Sequence, residues 1–371
     1  MLDKNSKLPL YMQLKDALLY KIKSGELKKG CPIPTEHELC NEYGISRFPV
    51  RQAMEELVSE GYLTRMRGRG SFISEKLPES AAAGRKKLLG LVMGGLTKGL
   101  CGQILDGYEK QARKRGYMTI ACCTEFIQDE ELNYVEQLVE LGISGMNILS
   151  CDDSRLPEII PGIIEKGIYV GFLDRNPGMS DIDYIGSDNI GGAYTALSHL
   201  GMQGYRNVAF ISYKSTVSSI NERLKGYLKA VDDFGLNSIT HIDMDEDLRR
   251  YPYPMHRFFL EKLKDELAEL KSHTPLGIFA INDGVALKCM NIFQAEGLKI
   301  GKDVGIVGFD NSSECEYAPV PLTSVAQNGL LIGQSAADIA IDKIEGKSNS
   351  VYKSIVPTQL VIRSSCGERA F

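Results

Sequence analysis

The sequence contains no apolar run of the length a membrane helix needs, and Met1 to Leu10 lacks the apolar core of a secretory leader. Both absences point to a cytoplasmic protein with no membrane partner. The nine cysteines include no C-x-x-C pair. Cys122 and Cys123 are adjacent and the others are scattered, which argues against a metal site or disulfide framework and for reduced thiols acting as small hydrophobes. Histidine is scarce: His37, His199, His241, His256 and His273 form no cluster, and His199, at the end of an apolar helix, reads as structural. Neither H-E-x-x-H nor G-x-S-x-G occurs. Gly94-Gly95-Leu96-Thr97-Lys98-Gly99 departs from both G-x-G-x-x-G and G-x-x-x-x-G-K-[ST]. The acidic stretch Asp243-Met244-Asp245-Glu246-Asp247 lacks the glycine and terminal glutamate of a calcium loop and reads as a solvated loop. These absences weigh against an enzyme acting on a sugar or nucleotide. They leave no catalytic set, no metal site and no cofactor to expect.

The chain's 371 residues give room for two or three domains. A content of 43% hydrophobic and 25% charged residues is ordinary for a soluble fold. The net charge of −5 does not announce a nucleic-acid partner, but it is unevenly placed. Residues 1–75 carry 12 Lys and Arg against 10 Asp and Glu, net +2, which leaves −7 for the remainder. A mildly basic head on an acidic body fits a protein that touches DNA at one end.

Periodicity supports that division. Leu14, Leu18, Leu19 and Ile22 recur at helical spacing between Tyr11 and Lys23. Thr35 followed by Glu38 is a capping box that opens a second helix, and Gly44 stands where a left-handed C-cap belongs. Ser46 would cap a third helix, with Val50, Met54, Leu57 and Val58 buried and Gly61 at its end. Tyr62 to Arg65 and Ser71 to Ile73 read as strands around the tip Arg67-Gly68-Arg69-Gly70. Residues 76–87, with Pro, Gly and small residues and no periodicity, read as a linker between residues 1–75 and residues 88–371. From Leu88 onward apolar strands alternate with amphipathic helices: Leu88–Met93, Met118–Cys122, Gly145–Leu149, Ile168–Leu173, Val208–Ile211, Leu276–Ile281 and Val304–Phe309. Such βα units make doubly wound parallel sheets covered by helices. There are too many for one compact sheet, so two lobes with a cleft between them are expected.

In the head, the second and third helices form a helix-turn-helix whose third helix would enter the major groove. Arg47 and Arg51, four apart, project from one face of it, and a guanidinium suits guanine edges or phosphate. Arg65, Arg67 and Arg69 on a glycine-tipped hairpin suit backbone or minor-groove contact. Singly, each arginine is more simply a solvated surface residue; together they favour DNA. The stretches Pro9-Leu10-Tyr11-Met12-Gln13, Pro34-Thr35-Glu36, Ser46-Arg47-Phe48-Pro49-Val50-Arg51 and Gly68-Arg69-Gly70-Ser71-Phe72-Ile73 resemble the winged-helix head of GntR-type regulators. The resemblance implies DNA contacts from Glu36, Ser46, Arg47, Phe48, Arg51 and Arg65 and from the wing, Arg67, Gly68, Arg69 and Gly70. Phe48 is the candidate for sequence choice.

In the body, several strands end in polar residues: Asp174-Arg175, Asn282-Asp283 and Asp310-Asn311, with Arg223 opening a later helix. Carboxylates accept from vicinal hydroxyls, while arginine and asparagine donate to ring and hydroxyl oxygens, which suits a polyhydroxylated ligand. Taken one at a time, each Asp or Asn would equally serve as a helix cap. Phe172-Leu173-Asp174-Arg175, Ser187-Asp188-Asn189-Ile190-Gly191-Gly192, Arg223-Leu224-Lys225-Gly226-Tyr227, Ile281-Asn282-Asp283, Val307-Gly308-Phe309-Asp310 and Leu322-Thr323-Ser324-Val325-Ala326-Gln327 resemble LacI/GalR-type regulators and their periplasmic-binding-protein relatives. The implied lobes are about 88–187 with 329–350, and 188–328 with 351–371. Asp174, Arg223, Asn282, Asp310 and Gln327 would line an effector cleft, and the loop Gly94–Gln103, Lys98 within it, would close over the ligand. A GntR-type head on such a body resembles the arabinose repressors of Gram-positive bacteria. That implies a homodimeric repressor binding operator DNA, with a monosaccharide effector, L-arabinose first; a purine or sugar phosphate is the alternative.

Overall fold

Thr35 and Glu38 close the capping box that their spacing predicts. The Thr35 amide donates to the Glu38 carboxylate at 2.7 Å, and the Glu38 amide donates to Thr35 Oγ1 at 3.3 Å. The computed structural model describes residues 9–23, 25–66, 70–75, 87–96, 99–151, 155–213, 217–244, 263 and 266–367. The expectations for residues 67–69, 76–86, 97–98 and 245–262 lie outside these. The chain divides into two compact units, Met1–Lys86 with Asp342–Asn349, and Lys87–Ile341 with Ser350–Phe371. No helix of the described residues is long and apolar enough to cross a membrane.

The head contains α1 (Leu10–Lys23), α2 (Glu36–Tyr43), α3 (Arg47–Ser59) and the antiparallel hairpin β1 (Leu63–Met66) and β2 (Gly70–Ile73). Gly44 ends α2 in the left-handed region at φ 63°, as a glycine C-cap should. Leu14 and Leu18 of α1, Leu39 of α2 and Val50, Met54 and Leu57 of α3 meet in one core with Leu63 and Ile73. Two details differ from expectation. Ser46 has N-cap backbone angles but its hydroxyl makes no capping bond, so the side chain stays at the surface. Ala53, instead of Val58, completes the buried face of α3. Val58 is half-buried because it lies one step round the helix from Leu57.

The body builds two six-stranded sheets. The first has the order β13-β7-β6-β5-β3-β4 and is parallel throughout: β3 (Leu88–Met93), β4 (Met118–Cys123), β5 (Gly145–Ile148), β6 (Tyr169–Leu173), β7 (Asp183–Ser187) and β13 (Lys353–Val356). The second, β14-β12-β11-β10-β8-β9, comprises β8 (Asn207–Tyr213), β9 (Asn237–Met244), β10 (Leu276–Ala280), β11 (Val304–Asp310), β12 (Thr323–Ala326) and β14 (Gln359–Val361). Here β14 alone among the described strands runs antiparallel. Helices α4 (Gly99–Lys114), α5 (Gln128–Glu140) and α6 (Leu156–Glu165) alternate with the first sheet. Helices α7 (Asn189–Met202), α8 (Ser218–Phe234), residues 266–272 (α9), α10 (Asp283–Ala295) and the short α11 (Glu314–Tyr317) alternate with the second. The chain then returns through α12 (Gly329–Ile344) to β13 and ends past β14.

The last lobe boundary falls later than expected. Residues 351–356, assigned to the second lobe, supply β13, which pairs with β7 through Lys353–Tyr184 to Val356–Ser187. An edge strand exposed at Lys353 and Ile355 carries no continuous apolar run to announce it. Asp243 and Met244, expected in a solvated loop, are the last residues of β9. Two long helices fix the first lobe. A side-chain carbon on Gly107 of α4 would overlap the Leu330 carbonyl of α12, and one on Gly333 would overlap the Ile104 carbonyl. Gly333→Val is therefore expected to destabilise the body by about 2 kcal/mol, read as a lower urea midpoint. An unchanged midpoint would mean that the helices have room to part.

Candidate functional site

Stacked aromatics lead from the second lobe's core to its polar end. Phe210 stacks on Phe279 with centroids 5.4 Å apart, and Phe279 meets Phe309 edge-on at 6.5 Å. Over the Phe309 ring, 3.7 Å from its centroid, lies the guanidinium of Arg223. Arg223 is buried. It sits in the second turn of α8, which starts at Ser218, so it does not open the helix as expected. Its Nε donates to Asn189 Oδ1 at 2.9 Å and its Nη1 to the Ile281 carbonyl at 2.6 Å. Nη2 lies 3.9 Å from Asp310 Oδ1. These bonds hold the planar group rigid at the carboxyl ends of the strands, where open α/β sheets place their ligands.

The expected cleft residues gather there. Asp310 ends β11 and accepts from Gln327 Nε2 at 2.7 Å. Asp174 follows β6, is buried, and its Oδ1 has no hydrogen-bond partner among the described residues. Gln327 Oε1 and Arg175 Nε are likewise buried and unpartnered among the described residues. Buried polar groups are normally satisfied, so two free acceptors beside one free donor mark a place prepared for a polar guest. Backbone strain concentrates at the same strand ends. Positive φ at non-glycine residues occurs, among the described residues, at Glu125 (51°), Phe126 (62°), Asp174 (57°), Asp310 (114°) and Asn311 (50°). Strain of this kind clusters at binding sites.

Electrostatics follow the crowding of acids. Burial pushes the Asp310 carboxyl up to about 7; Arg223 opposes the shift, while Asp283 and Asp174 add to it. Burial also raises Glu222, which accepts from Asn189 Nδ2 at 3.0 Å and feels Asp174. Asp283 is raised by burial against the bonds it takes from Ser324 Oγ and the Ser312 amide. An Asp310 raised on folding is protonated in the native chain at pH values where the unfolded chain has ionised. Its contribution to stability is present at low pH and is lost as pH rises through about 7. Asp310→Asn, which cannot ionise and still accepts from Gln327, is expected to melt about 2–5 °C above the parent at pH 8. That gap should close as pH falls towards 4. A gap that stays constant across pH would contradict the raised carboxyl.

Three expectations change. Asn282 stands at the end of β10, but its Oδ1 caps α10 by accepting from the Val285 amide at 2.9 Å, so the capping reading holds for that atom. The loop Gly94–Gln103 is shorter than expected, since α4 already begins at Gly99; Lys98 lies outside the described residues. Arg175, which the sequence pattern gives no role beyond its place in the Asp-Arg pair, joins the cluster. Its Nη1 donates to the Ser150 carbonyl at 2.6 Å, and its guanidinium sits 5.7 Å from the Phe126 centroid. Cys101, in the first turn of α4, is a further neighbour. Burial pushes its thiol up to about 11, moderated by Arg175 and reinforced by Asp174 and Asp310. His199 is buried and burial lowers its pKa.

The head presents a separate surface. Arg47 and Arg51 are exposed on the first turns of α3, and Phe48 between them is 77% exposed. Arg51 Nε lies 3.3 Å from Glu55, and Arg65 of β1 reaches the same carboxylate at 3.9 Å. Helix α3 and the wing strand thus converge on one face. Glu36 starts α2 half-buried, Gly70 opens β2 at φ 99°, and Arg67, Gly68 and Arg69 lie outside the described residues.

Comparison with known proteins matches this division. Residues 10–73 fit the family model for bacterial regulatory proteins of the gntR family, and residues 197–366 fit that for a periplasmic binding protein-like domain. The chain is 26% identical over 372 residues to the arabinose metabolism transcriptional repressor of Geobacillus stearothermophilus, covering 98% of this chain and 100% of that one. The protein is a transcriptional regulator with a GntR-type head and a periplasmic-binding-protein-like body. The body alone is similar to the HTH-type transcriptional repressor PurR of Vibrio atlanticus, at 24% identity over 75% of this chain and 81% of PurR. The fold is similar to that of the transcriptional regulator CelR in its cellobiose complex, with a TM-score of 0.66, 22% identity, and 86% and 91% of the two chains covered. A LacI-type regulator of Alkaliphilus metalliredigens complexed with D-xylulofuranose superposes with a TM-score of 0.64 at 23% identity, over 76% and 99% of the chains.

Proposed function

We propose that this regulator is a cytoplasmic homodimeric repressor whose hold on operator DNA is controlled by a neutral monosaccharide in the body cleft, with L-arabinose the first candidate. The observation that carries the effector reading is a set of buried atoms at the strand ends that have no hydrogen-bond partner among the described residues, including Asp174 Oδ1, Gln327 Oε1 and Arg175 Nε. Sugar hydroxyls both donate and accept, so one ring can satisfy all three. The acids Asp174, Asp310 and Glu222 favour hydroxyls over a phosphate dianion, because Arg223 is already committed to Asn189 and Ile281. The whole-length likeness to an arabinose repressor supports the particular sugar.

Two heads on a dimer would meet two half-sites of a pseudo-palindrome. For the sugar to release DNA it must bind the DNA-free arrangement more tightly than the DNA-bound one, and by the same factor DNA weakens the sugar. The test is thermal unfolding of the full-length protein against L-arabinose, D-xylose, D-ribose, ribose 5-phosphate and hypoxanthine. At a hundred times its dissociation constant a ligand adds about 2.7 kcal/mol of stability. Stabilisation by L-arabinose, with loss of operator binding in its presence, is the expected result. Stabilisation by hypoxanthine or ribose 5-phosphate alone would refute the neutral sugar. Turnover of any of these compounds would refute a pure binding role.

A further inference from the structure

A left-handed backbone is uncommon at one non-glycine residue and rarer at two in succession, because each Cβ crowds a neighbouring carbonyl. Asp310 and Asn311 adopt it together, at φ 114° and 50°, where β11 ends. Such a pair persists only when its surroundings over-determine it, and a ring of hydrogen bonds does so. The Asn311 amide donates to Ser324 Oγ of β12 at 3.0 Å. The Ser312 amide donates to Asp283 Oδ2 at 2.6 Å, and Ser324 Oγ donates to the other oxygen of the same buried carboxylate. The Asn311 side chain is held as well, since its Oδ1 accepts from Arg363 Nη2 at 2.8 Å. Arg363 is fixed in turn: its Nη1 donates to the Leu322 carbonyl at 2.8 Å and its amide to Thr323 Oγ1 at 2.9 Å. It lies two residues past β14, on the segment that has just crossed from β13 of the first lobe. These bonds close within the fold, so their effect on a guest passes through Asp310.

We propose that Asn311 and Arg363 are positioning residues for the effector, holding through their mutual bond the turn that aims the Asp310 carboxyl into the cleft; the assignment rests on the sugar-cleft reading above. Asp310 has to meet a ligand hydroxyl while it accepts from Gln327 Nε2 at 2.7 Å, and its carboxyl turns with the backbone that carries it. Hydrogen bonds weaken steeply with misalignment, so a relaxed turn lowers affinity without removing any group that touches the ligand. Asparagine suits the position for two reasons. It tolerates a left-handed φ, and its side-chain oxygen reaches the guanidinium. Aspartate shares both properties, whereas glycine shares only the first.

That difference supplies the test. Full-length parent, Asn311→Gly and Asn311→Asp are titrated calorimetrically with L-arabinose, D-xylose and D-ribose, and the ligand-free melting temperature of each is recorded. Asn311→Gly is expected to bind the parent's sugar about tenfold more weakly. Its ligand-free melting temperature should match the parent's, because relief of the left-handed strain offsets the lost bond to Arg363. Asn311→Asp, which keeps an acceptor for the guanidinium, is expected to bind as the parent does. Equal binding by Asn311→Gly and the parent would overturn the positioning role while the cleft reading stands. Weakening of Asn311→Asp to the glycine level would overturn it too, since the acceptor for Arg363 would then not be what matters. A ligand-free Asn311→Gly that melts several degrees lower would make the bond a support of the fold alone. If none of the three sugars binds the parent, the cleft reading itself fails and the positioning role with it.

Discussion

Replacing Arg51 with alanine is expected to weaken binding of the full-length protein to its operator about a hundredfold, with no change in melting temperature. A bidentate guanidinium contact to guanine contributes about 1–3 kcal/mol of discrimination, and the proposed dimer would lose it at both half-sites. The intramolecular competitor is weak. Arg51 and Glu55 are 65% and 54% exposed at 3.3 Å, and exposed ion pairs of this kind contribute less than about 1 kcal/mol. The guanidinium therefore leaves Glu55 for DNA at little cost. The fold should not notice the change, because the α3 core consists of Val50, Ala53, Met54 and Leu57, all on the opposite face. Arg65→Ala is a useful contrast. From the wing strand it is positioned for backbone, so its loss should be nearer tenfold, equal on operator and scrambled duplex, with a shallower salt dependence. Fluorescence anisotropy at fixed salt on both duplexes separates the cases. Unaltered operator affinity in Arg51→Ala would remove α3 from the interface.

Most of this surface was legible in the sequence because local rules create it. The Thr35–Glu38 spacing, Gly44 and the i, i+4 arginines each act within one or two helical turns. The buried strands were legible for the same reason: Val304–Phe309 and Leu276–Ala280 are continuous apolar runs. The strands that were missed are short or lie at sheet edges. Neither β9, which passes through Asn237, Ser238, Thr240 and His241, nor β13, which opens on Lys353 and Ser354, has an apolar run. Their pairing is set by neighbours far away in the chain. The cleft was half legible. Asp174 and Asp310 stand out in the sequence as polar residues after apolar strands, whereas Gln327 is suggested by the family resemblance alone. The strained turn at Phe126 was not found, because a left-handed φ leaves no mark in a sequence. Arg175 is visible in the sequence only as half of the Asp174-Arg175 pair, because its partner, the Ser150 carbonyl, belongs to a segment 25 residues away. Asn282 shows the limit of the reasoning: a strand-end asparagine looks the same whether it caps a helix or meets a ligand, and here its Oδ1 caps.

Asp174→Asn is expected to reduce effector affinity about a hundredfold and to leave operator binding intact, giving a repressor that no longer lets go. Asparagine tolerates the left-handed backbone that Asp174 adopts at φ 57°, so the turn after β6 should survive. What disappears is the charge. Hydrogen bonds to a carboxylate are worth about 1.5–3 kcal/mol against 0.5–1.5 for neutral pairs, and a carboxylate facing vicinal hydroxyls takes two. The ligand-free protein should respond in the opposite sense. Asp174 is one of the charges that raise Asp310 and Glu222, so neutralising it relieves repulsion in the cleft. The ligand-free melting temperature should therefore hold or rise slightly. With sugar at a hundred times the parent's dissociation constant, stabilisation should shrink from about 2.7 to about 0.4 kcal/mol. These opposite signs separate a binding residue from a structural one. A ligand-free Tm several degrees lower, together with weakened operator binding, would make Asp174 a pillar of the fold. Retained sugar stabilisation would show that its free Oδ1 faces no ligand, and the assignment of the cleft would fall with it.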